Sequence, residues 1–193
     1  MILIDHQDSF VYTLANYFSI LGQEVIVVRP PVTQEIFNKQ KFHLMVLSPG
    51  PGTPADFNCN NTIKIAIENN LPIFGICLGL QALVEFYGGK LTKLIPPKHG
   101  KISIIDVLRP SIIFDKLPDK IKVGRYHSLC VVRDFVPNCF NVTAVTDDQV
   151  IMSIEHKEKN ISAVQFHPES ILTADNNLGL KMLDNILKYL NRG

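Results

Sequence analysis

Short apolar runs alternate with segments of helical periodicity through the first half of this chain, and that alternation restricts the fold more than any other feature. Helices between successive strands act as crossover connections, which produce parallel strand pairing. We therefore predict an α/β fold with an open mixed, mostly parallel sheet and helices on both faces. The predicted strands are residues 1–4, 24–28, 44–47 and 72–75, and the predicted helices are 9–21, a short one near Gln34, 60–69 and 80–87.

After residue 90 the pattern changes to short strands separated by turns, at 102–107, 122–124, 140–146, 150–155 and 162–166. The segment 94–101 has turn chemistry and is predicted to be a surface loop. Residues 177–190 are predicted to form an amphipathic helix whose apolar stripe packs on the core: Leu180, Leu183, Ile186, Leu187 and Leu190. The 193 residues contain no repeat or low-complexity linker, so we predict one domain over 1–193.

A sequence Gly-Ile-Cys-Leu-Gly lies where the apolar strand near residue 74 meets the following helix. Gly75 and Gly79 allow strand and helix to approach closely, and the turn between them holds Cys77 in a strained conformation with its side chain clear of the backbone. The amino terminus of the helix favours the thiolate over the thiol. Cys77 is therefore predicted to be a nucleophile, the alternative being a buried structural cysteine beside incidental glycines.

A thiol nucleophile requires a base, and the base requires an orienting group. His167 follows a predicted strand and has Glu169 two residues beyond it, with Pro168 keeping the pair extended so that both side chains project to one side. His167 and Glu169 are predicted to be the base and its partner, although this sequence also fits a plain turn. His127 is predicted at a strand-to-loop junction, placed to line a pocket. The remaining histidines are predicted to be weaker candidates on the surface: His6, His43, His99 and His156.

The sequence Ser-Pro-Gly-Pro-Gly at 48–52 follows the strand 44–47. Gly50 and Gly52 tolerate backbone angles that let the amide groups face outward. Together with the Leu78 amide, such a loop is placed to form an oxyanion hole. The alternatives are an ordinary Pro/Gly turn and a phosphate-binding loop, but the second lacks the Walker lysine.

Four motifs, in this order and spacing, resemble those of the class I (triad) glutamine amidotransferases. They are Ser-Pro-Gly-Pro-Gly at 48–52, Gly-Ile-Cys-Leu-Gly-Leu-Gln at 75–81, Tyr-His-Ser-Leu at 126–129 and Phe-His-Pro-Glu-Ser at 166–170. The resemblance runs from Ile2 to the final helix. The 48–52 loop, the 127–129 motif and the start at 3–10 are similar to the amidotransferase component of anthranilate synthase and its relative in 4-aminobenzoate synthesis.

The resemblance implies a flavodoxin-like fold with Cys77 as nucleophile, His167 as general base and acid, and Glu169 as its orienting partner. It also implies that the amides of Gly52 and Leu78 form the oxyanion hole. The implied glutamine-binding residues are Gly50, Pro51, Gly52, Leu78, Gln81, Ser128 and Leu129.

Leu80 departs from the family pattern, since many members have histidine there. Because that histidine lies outside the triad, the change is expected to alter packing behind the elbow and not the chemistry. The leucine variant resembles amidotransferase regions fused to a synthase. The resemblance implies a synthase partner, as a separate subunit or a fused domain, that binds chorismate and Mg²⁺ and docks near 94–101. No metal or cofactor is expected on this chain.

Composition limits the other classes of function. Lys plus Arg number 19 against 18 for Asp plus Glu, so no basic excess supports nucleic-acid binding. No segment has the length of a membrane span or a signal-peptide core, and a cytoplasmic location is expected. The four cysteines lack disulfide or metal-ligand spacing and are expected to be free thiols.

The resulting hypothesis is hydrolysis of glutamine, with ammonia passed to the synthase for anthranilate in tryptophan biosynthesis. Three alternatives stay open. The partner synthase makes 4-amino-4-deoxychorismate for folate, the chain is a partner-independent thiol hydrolase on the same fold, or it is a non-catalytic regulatory subunit.

Overall fold

The computed structural model describes residues 1–190 as one mixed nine-stranded sheet with helices on both of its faces. The first half contains β1 (Ile2–Ile4), α1 (Val11–Ile20), β2 (Ile26–Val28), α2 (Gln34–Lys39), β3 (Met45–Leu47), α3 (Cys59–Glu68), β4 (Ile73–Ile76) and α4 (Leu78–Phe86). The second half contains β5 (Leu91–Val107), β6 (Lys120–Val131), β7 (Phe140–Thr146), β8 (Ile151–His156), β9 (Ile161–Val164) and α5 (Leu178–Leu190).

The sheet has a parallel part and an antiparallel part that meet at β9. The strand order is β2-β1-β3-β4-β9-β8-β7-β5-β6. Strands β2, β1, β3, β4 and β9 pair in parallel, whereas β9, β8, β7, β5 and β6 pair in antiparallel fashion. The predicted fold class is therefore confirmed, with five of the nine strands in the parallel part.

Apolar side chains fill both faces of the parallel part, as its uninterrupted apolar strands predict. In β1, Leu3 packs in the cluster that includes α1 and α5, while Ile2 and Ile4 pack in the cluster that includes α3 and α4. The predicted stripe of α5 is buried at Leu183, Ile186 and Leu187 and half-buried at Leu180. The side chain of Leu190 and the predicted domain's residues 191–193 lie outside the described part.

The predicted loop at 94–101 is wrong, because the segment belongs to β5. The two prolines and the glycine there broke the alternating pattern in the sequence. The β5–β6 register shifts between Lys93 and Lys98 and again between His99 and Lys101. The two prolines and the glycine therefore lie in bulges, where the strand does not need a backbone N–H donor at every position of the ladder. Strand β6 likewise continues to Val131, well beyond the predicted end at residue 124.

The cysteines carry free thiols, as predicted: Cys59, Cys77, Cys130 and Cys139. Within residues 1–190, no group of three or more His, Cys, Asp or Glu side chains is arranged to hold a metal ion. The helices in the same range are too short or too polar to cross a membrane.

Candidate active site

The turn between β4 and α4 has the strained geometry predicted for a nucleophile elbow. Cys77 has φ of 51° and ψ of −99°, a conformation that side-chain-bearing residues rarely adopt. A Cβ atom on Gly75 would lie 2.6 Å from the Gly79 carbonyl carbon, and one on Gly79 would lie 2.5 Å from the Leu47 carbonyl oxygen. Backbone atoms therefore exclude side chains at both positions, and only glycine lets α4 pack this closely on the sheet.

The Cys77 thiol lies beneath the surface, with 5% of the residue exposed. Its Sγ atom is 3.5 Å from Gln165 Nε2 and 4.0 Å from the Tyr126 carbonyl oxygen. The Cys77 backbone N–H donates to Val164 O at 2.8 Å, which joins the elbow to β9. The first N–H groups of α4 have no carbonyl partner within the helix, so they present partial positive charge beside the sulfur.

His167 and Glu169 form a buried pair close to the elbow. The distance from His167 Nδ1 to Glu169 Oε1 is 2.7 Å, and each residue is 1% exposed. The imidazole ring centroid lies 5.1 Å from that of Phe10 and 5.0 Å from that of Tyr126. The His167 backbone N–H donates to Gly124 O at 3.1 Å, so β6 also fixes this residue.

Electrostatics favour the protonated form of His167. Burial alone lowers the pKa of the ring, but the Glu169 carboxylate and contact with the Cys77 thiol outweigh it, and the pKa lies well above 6.5. His167 Nε2 has no hydrogen-bond partner within residues 1–190. Because Nδ1–H is committed to Glu169, Nε2 is the atom available to exchange a proton.

The glycine loop after β3 packs directly on the start of α4. A Cβ atom on Gly50 would lie 2.6 Å from His6 Cβ and 2.6 Å from Leu78 Cδ2. Gly52 has φ of 71°, and a Cβ atom there would lie 2.5 Å from Asp56 Oδ2. Gly50 therefore packs against Leu78 at the start of α4, while Gly52, with exposed Pro51 before it, lies against Asp56.

His6 was predicted on the surface, and this is wrong, because the residue is 0% exposed. Its Nδ1–H donates to Ser48 O at 2.9 Å, and its Nε2 lies 3.6 Å from Cys59 Sγ. Burial lowers the pKa of His6 and raises that of Cys59 to about 12, so both groups are neutral near pH 7. The useful sequence signal was its position just after β1, at the edge where parallel strands end.

The remaining predicted substrate residues lie on α4 and β6. Gln81 is 3% exposed, and its Nε2 donates to Leu129 O at 3.2 Å and to Gln165 Oε1 at 3.3 Å. Leu129 is half-buried and Ser128 is exposed. The structure thus brings α4, β6 and the end of β9 together, and it adds Gln165, which no sequence motif had indicated.

His127 lies inside β6 and not at the predicted strand-to-loop junction. Its Nδ1–H donates to Leu129 O at 2.8 Å, and its Nε2 accepts from Arg125 Nε at 3.0 Å. Burial, reinforced by the positive charges of Arg125 and His167, lowers the pKa of His127 to about 4, although the hydrogen bond to Leu129 O opposes this. A neutral His127 therefore supports the backbone beside the site.

Comparison with known proteins places this architecture in a family. Residues 2–187 match the model of the class-I glutamine amidotransferases. A solved structure of a glutamine amidotransferase from Thermotoga maritima is 13% identical, covers 100% of this chain and 97% of its own, and superposes with a TM-score of 0.77. At that identity the likeness concerns the fold.

Curated relatives are more similar in sequence. Anthranilate synthase of Azospirillum brasilense is 46% identical over 100% of this chain, which spans only 26% of that protein. Anthranilate synthase component 2 of Lactococcus lactis is 40% identical, covering 99% of this chain and 95% of its own. Aminodeoxychorismate synthase component 2 of Escherichia coli is 39% identical, with 97% and 98% covered. The chain carrying this Cys77 elbow and His167–Glu169 pair belongs to the class-I glutamine amidotransferase family.

Proposed function

We propose that this chain hydrolyses glutamine to glutamate and ammonia and supplies the ammonia to a synthase that converts chorismate to anthranilate. The observation that carries the glutaminase function is the Cys77 elbow beside a buried His167 whose Nδ1 is held by Glu169 at 2.7 Å. Nucleophile, proton carrier and orienting carboxylate are the three groups that acyl transfer from an amide requires.

In the first half-reaction the Cys77 thiolate attacks the side-chain amide carbon of glutamine. The amides of Gly52 and Leu78 donate to the resulting oxyanion. His167, protonated at Nε2, transfers that proton to the amide nitrogen, and ammonia leaves as the carbon–nitrogen bond breaks. The product is a γ-glutamyl thioester on Cys77 with a neutral His167.

In the second half-reaction neutral His167 removes a proton from water, and the oxygen attacks the thioester carbon. Collapse of this second intermediate breaks the carbon–sulfur bond, releases glutamate and restores the Cys77 thiolate opposite a protonated His167. The Glu169 carboxylate stabilises the imidazolium through its contact with Nδ1. Glutamine is proposed to lie between the glycine loop and the β6 segment, held by Gly50, Pro51, Gly52, Leu78, Gln81, Ser128 and Leu129.

The synthase partner is proposed to bind chorismate and Mg²⁺, either as a separate subunit or as part of a longer chain. The 26% of the Azospirillum protein that this chain spans supports the second arrangement, and the 95% coverage of the Lactococcus protein supports the first. The proposed docking segment 94–101 includes Ile95, which is 85% exposed. Four free thiols suit a reducing compartment and support a cytoplasmic location.

Glutamate release from glutamine tests the proposal, with wild type compared to Cys77→Ala. The chain is assayed alone, with an anthranilate synthase component I plus chorismate, and with the corresponding aminodeoxychorismate synthase component. We expect activity that rises with the anthranilate partner and is lost in Cys77→Ala, while Cys139→Ala, which removes a half-buried thiol away from the elbow, retains it.

The other outcomes identify the alternatives. Stimulation by the aminodeoxychorismate partner alone would assign the chain to 4-aminobenzoate synthesis, which the 39% identical Escherichia coli relative keeps as the second candidate. Turnover of peptide or other γ-glutamyl substrates without a partner would indicate a thiol hydrolase. Full glutamine-dependent activity of a Cys77→Ala complex would indicate a regulatory subunit.

A further inference from the structure

Gln165 is a buried amide in direct contact with the nucleophile, and the triad does not account for it. The residue follows β9 immediately, is 0% exposed, and has its Nε2 3.5 Å from Cys77 Sγ. Its backbone N–H donates to Met152 O at 2.9 Å, so the adjacent strand β8 fixes the main chain at this point. A polar side chain that is completely buried is expected to have defined hydrogen-bond partners.

The orientation of the Gln165 amide is set by Gln81. Gln81 Nε2 donates to Gln165 Oε1 at 3.3 Å, and this occupies the acceptor end of the Gln165 side chain and turns its NH₂ group toward Cys77 Sγ. Gln81 is in turn anchored on Leu129 O at 3.2 Å. That same carbonyl accepts from His127 Nδ1 at 2.8 Å, so its position is fixed independently of Gln81.

This direction of donation suits a negatively charged sulfur. An amide N–H bond to a thiolate is charge-assisted and stronger than the same bond to a neutral thiol. The hydrogen-bond network is also complete without substrate. Its four residues lie at the end of β9, on α4 and on β6, and they hold one another in position: Gln165, Gln81, Leu129 and His127. A preorganised donor costs no reorganisation at the moment of reaction.

We propose that Gln165 is a catalytic residue that stabilises the Cys77 thiolate by donating Nε2–H to Sγ, and that Gln81 is the positioning residue that holds the amide in this orientation. This inference rests on the proposed glutaminase function and deepens it. Before the attack step the Gln165 Nε2–H bond stabilises the negative charge on Sγ. In thioester hydrolysis sulfur is the leaving group, and the same N–H bond stabilises it as the carbon–sulfur bond breaks and the electron pair returns to Sγ.

The primary test is the rate at which iodoacetamide alkylates Cys77 near neutral pH, followed by peptide mass spectrometry so that the other cysteines do not contribute. Gln165→Met keeps the length of the side chain and removes the donor, and we expect alkylation about tenfold or more slower, the effect of losing a hydrogen bond to a charged group. The control is Thr143→Val, which removes a buried hydrogen bond to Ser153 away from the sulfur and should leave the rate unchanged. A folded Gln165→Met that alkylates within about twofold of wild type would overturn the proposal.

Two further variants allow the proposal to be tested if Gln165→Met does not fold. Gln165→Glu keeps the shape and places a carboxylate beside Sγ, so alkylation should slow more than in Gln165→Met, and an unchanged rate would again refute the role. Gln81→Met leaves Gln165 present but unoriented, so its rate should fall between those of wild type and Gln165→Met. A wild-type rate in Gln81→Met would overturn its positioning role.

Glutamine turnover supplies a second readout. Because Gln165 touches the sulfur, kcat should fall while KM for glutamine stays within about twofold, whereas a change in KM alone would make Gln165 a substrate-binding residue and refute the proposal. Alkylation needs no glutamine, so slow alkylation of Gln165→Met in a chain that never hydrolyses glutamine would reject the proposed function and retain the thiolate role.

Discussion

The two parts of the sheet contribute to the site in different ways. The parallel part consists of strands of three or four residues, and it supplies Cys77 and the glycine loop from turns at the ends of strands. The antiparallel part contains β5, 17 residues long, and β6, 12 residues long, and it contributes groups from within a strand. Gly124 O accepts from the His167 backbone, and Leu129 O accepts from Gln81 and His127.

The difference shows two ways of fixing a reactive group. At the elbow, steric exclusion by backbone atoms decides the conformation, since Gly75 and Gly79 have no room for a Cβ atom. Along β6, buried hydrogen bonds between polar side chains and backbone carbonyls hold the groups in position. Substitutions should therefore act through strain in the parallel part and through unsatisfied polar groups in the antiparallel part.

The largest effect is expected at Glu169, beyond β9 where the two parts meet. In Glu169→Gln the carboxylate that raises the pKa of His167 is lost, so burial dominates and the ring becomes neutral near pH 7. Nε2 then carries no proton for the departing ammonia, and kcat for glutamate release should fall by on the order of 10²- to 10⁴-fold. Glu155→Gln, which alters a buried carboxylate that accepts from Ser111 and the Ile112 amide, is the control.

Steady-state glutaminase assays on the folded proteins measure this effect. A Glu169→Gln enzyme whose kcat lies within about tenfold of the wild-type value would mean that orientation of His167 comes from β6 and the aromatic rings and not from the carboxylate. That result would assign the orientation of His167 mainly to the antiparallel part of the sheet.

A smaller effect, on folding and not on chemistry, is expected at the elbow glycines. Gly79→Ala would place Cβ 2.5 Å from the Leu47 carbonyl oxygen, and backbone has to move to relieve the contact. We expect the free energy of unfolding to fall by about 3 kcal/mol or more. Gly88→Ala is the matched control, since its φ is 88° and no atom of the described part of the chain lies within 4 Å of the added Cβ, leaving only conformational strain of about 1–2 kcal/mol. Urea denaturation compares the two, and equal losses would show that contact with β3 does not restrict the elbow.

The parallel part is also where sequence reasoning succeeds. Each of β1 to β4 is short, uniformly apolar and bounded by polar or turn residues, so local pattern and buried environment agree, and the predicted boundaries lie within about two residues of those observed. The elbow and the His-Pro-Glu turn follow strand ends, so both were recognisable as local motifs. Their proximity follows from the parallel pairing of β4 with β9.

In the antiparallel part, prediction from local sequence patterns fails for physical reasons. Bulges let β5 continue through Pro96, Pro97 and Gly100, which break the pattern on which strand prediction depends. His127 pairs with Arg125 and Leu129 on its own strand, and this was missed because the strand was predicted to end at residue 124. Gln165 contacts Cys77 and Gln81, which are 88 and 84 residues away in the sequence, and no local pattern indicates such partners. His6 was misplaced for the same reason, since its burial depends on the glycine loop and α3.

The smallest effect concerns His127, and its size depends on pH. In His127→Phe the Arg125 Nε–H loses its acceptor and Leu129 O loses a donor, so near pH 7 the free energy of unfolding should fall by about 1–3 kcal/mol. The native pKa of His127 is about 4, against 6.5 for an ordinary histidine, so between these pH values the unfolded chain binds a proton that the native chain does not. The free energy of unfolding of wild type therefore decreases as pH falls below about 6.5. The phenylalanine variant has no titrating group at this position and does not show this decrease.

The destabilisation caused by His127→Phe should accordingly shrink by about 2 kcal/mol between about pH 7 and about pH 5. His167 behaves in the opposite sense: its raised pKa stabilises the fold below about pH 6.5, and that contribution is lost as pH rises through the native value. Because His167 is present in both proteins, its contribution cancels in the difference. Thr143→Val removes a buried hydrogen bond without a titrating group, so its destabilisation should be the same at both pH values. If His127→Phe instead behaves like Thr143→Val, then the pKa of His127 is not lowered in the native protein, the ring is protonated inside β6 at about pH 5, and its Nε2 cannot accept from Arg125 at that pH.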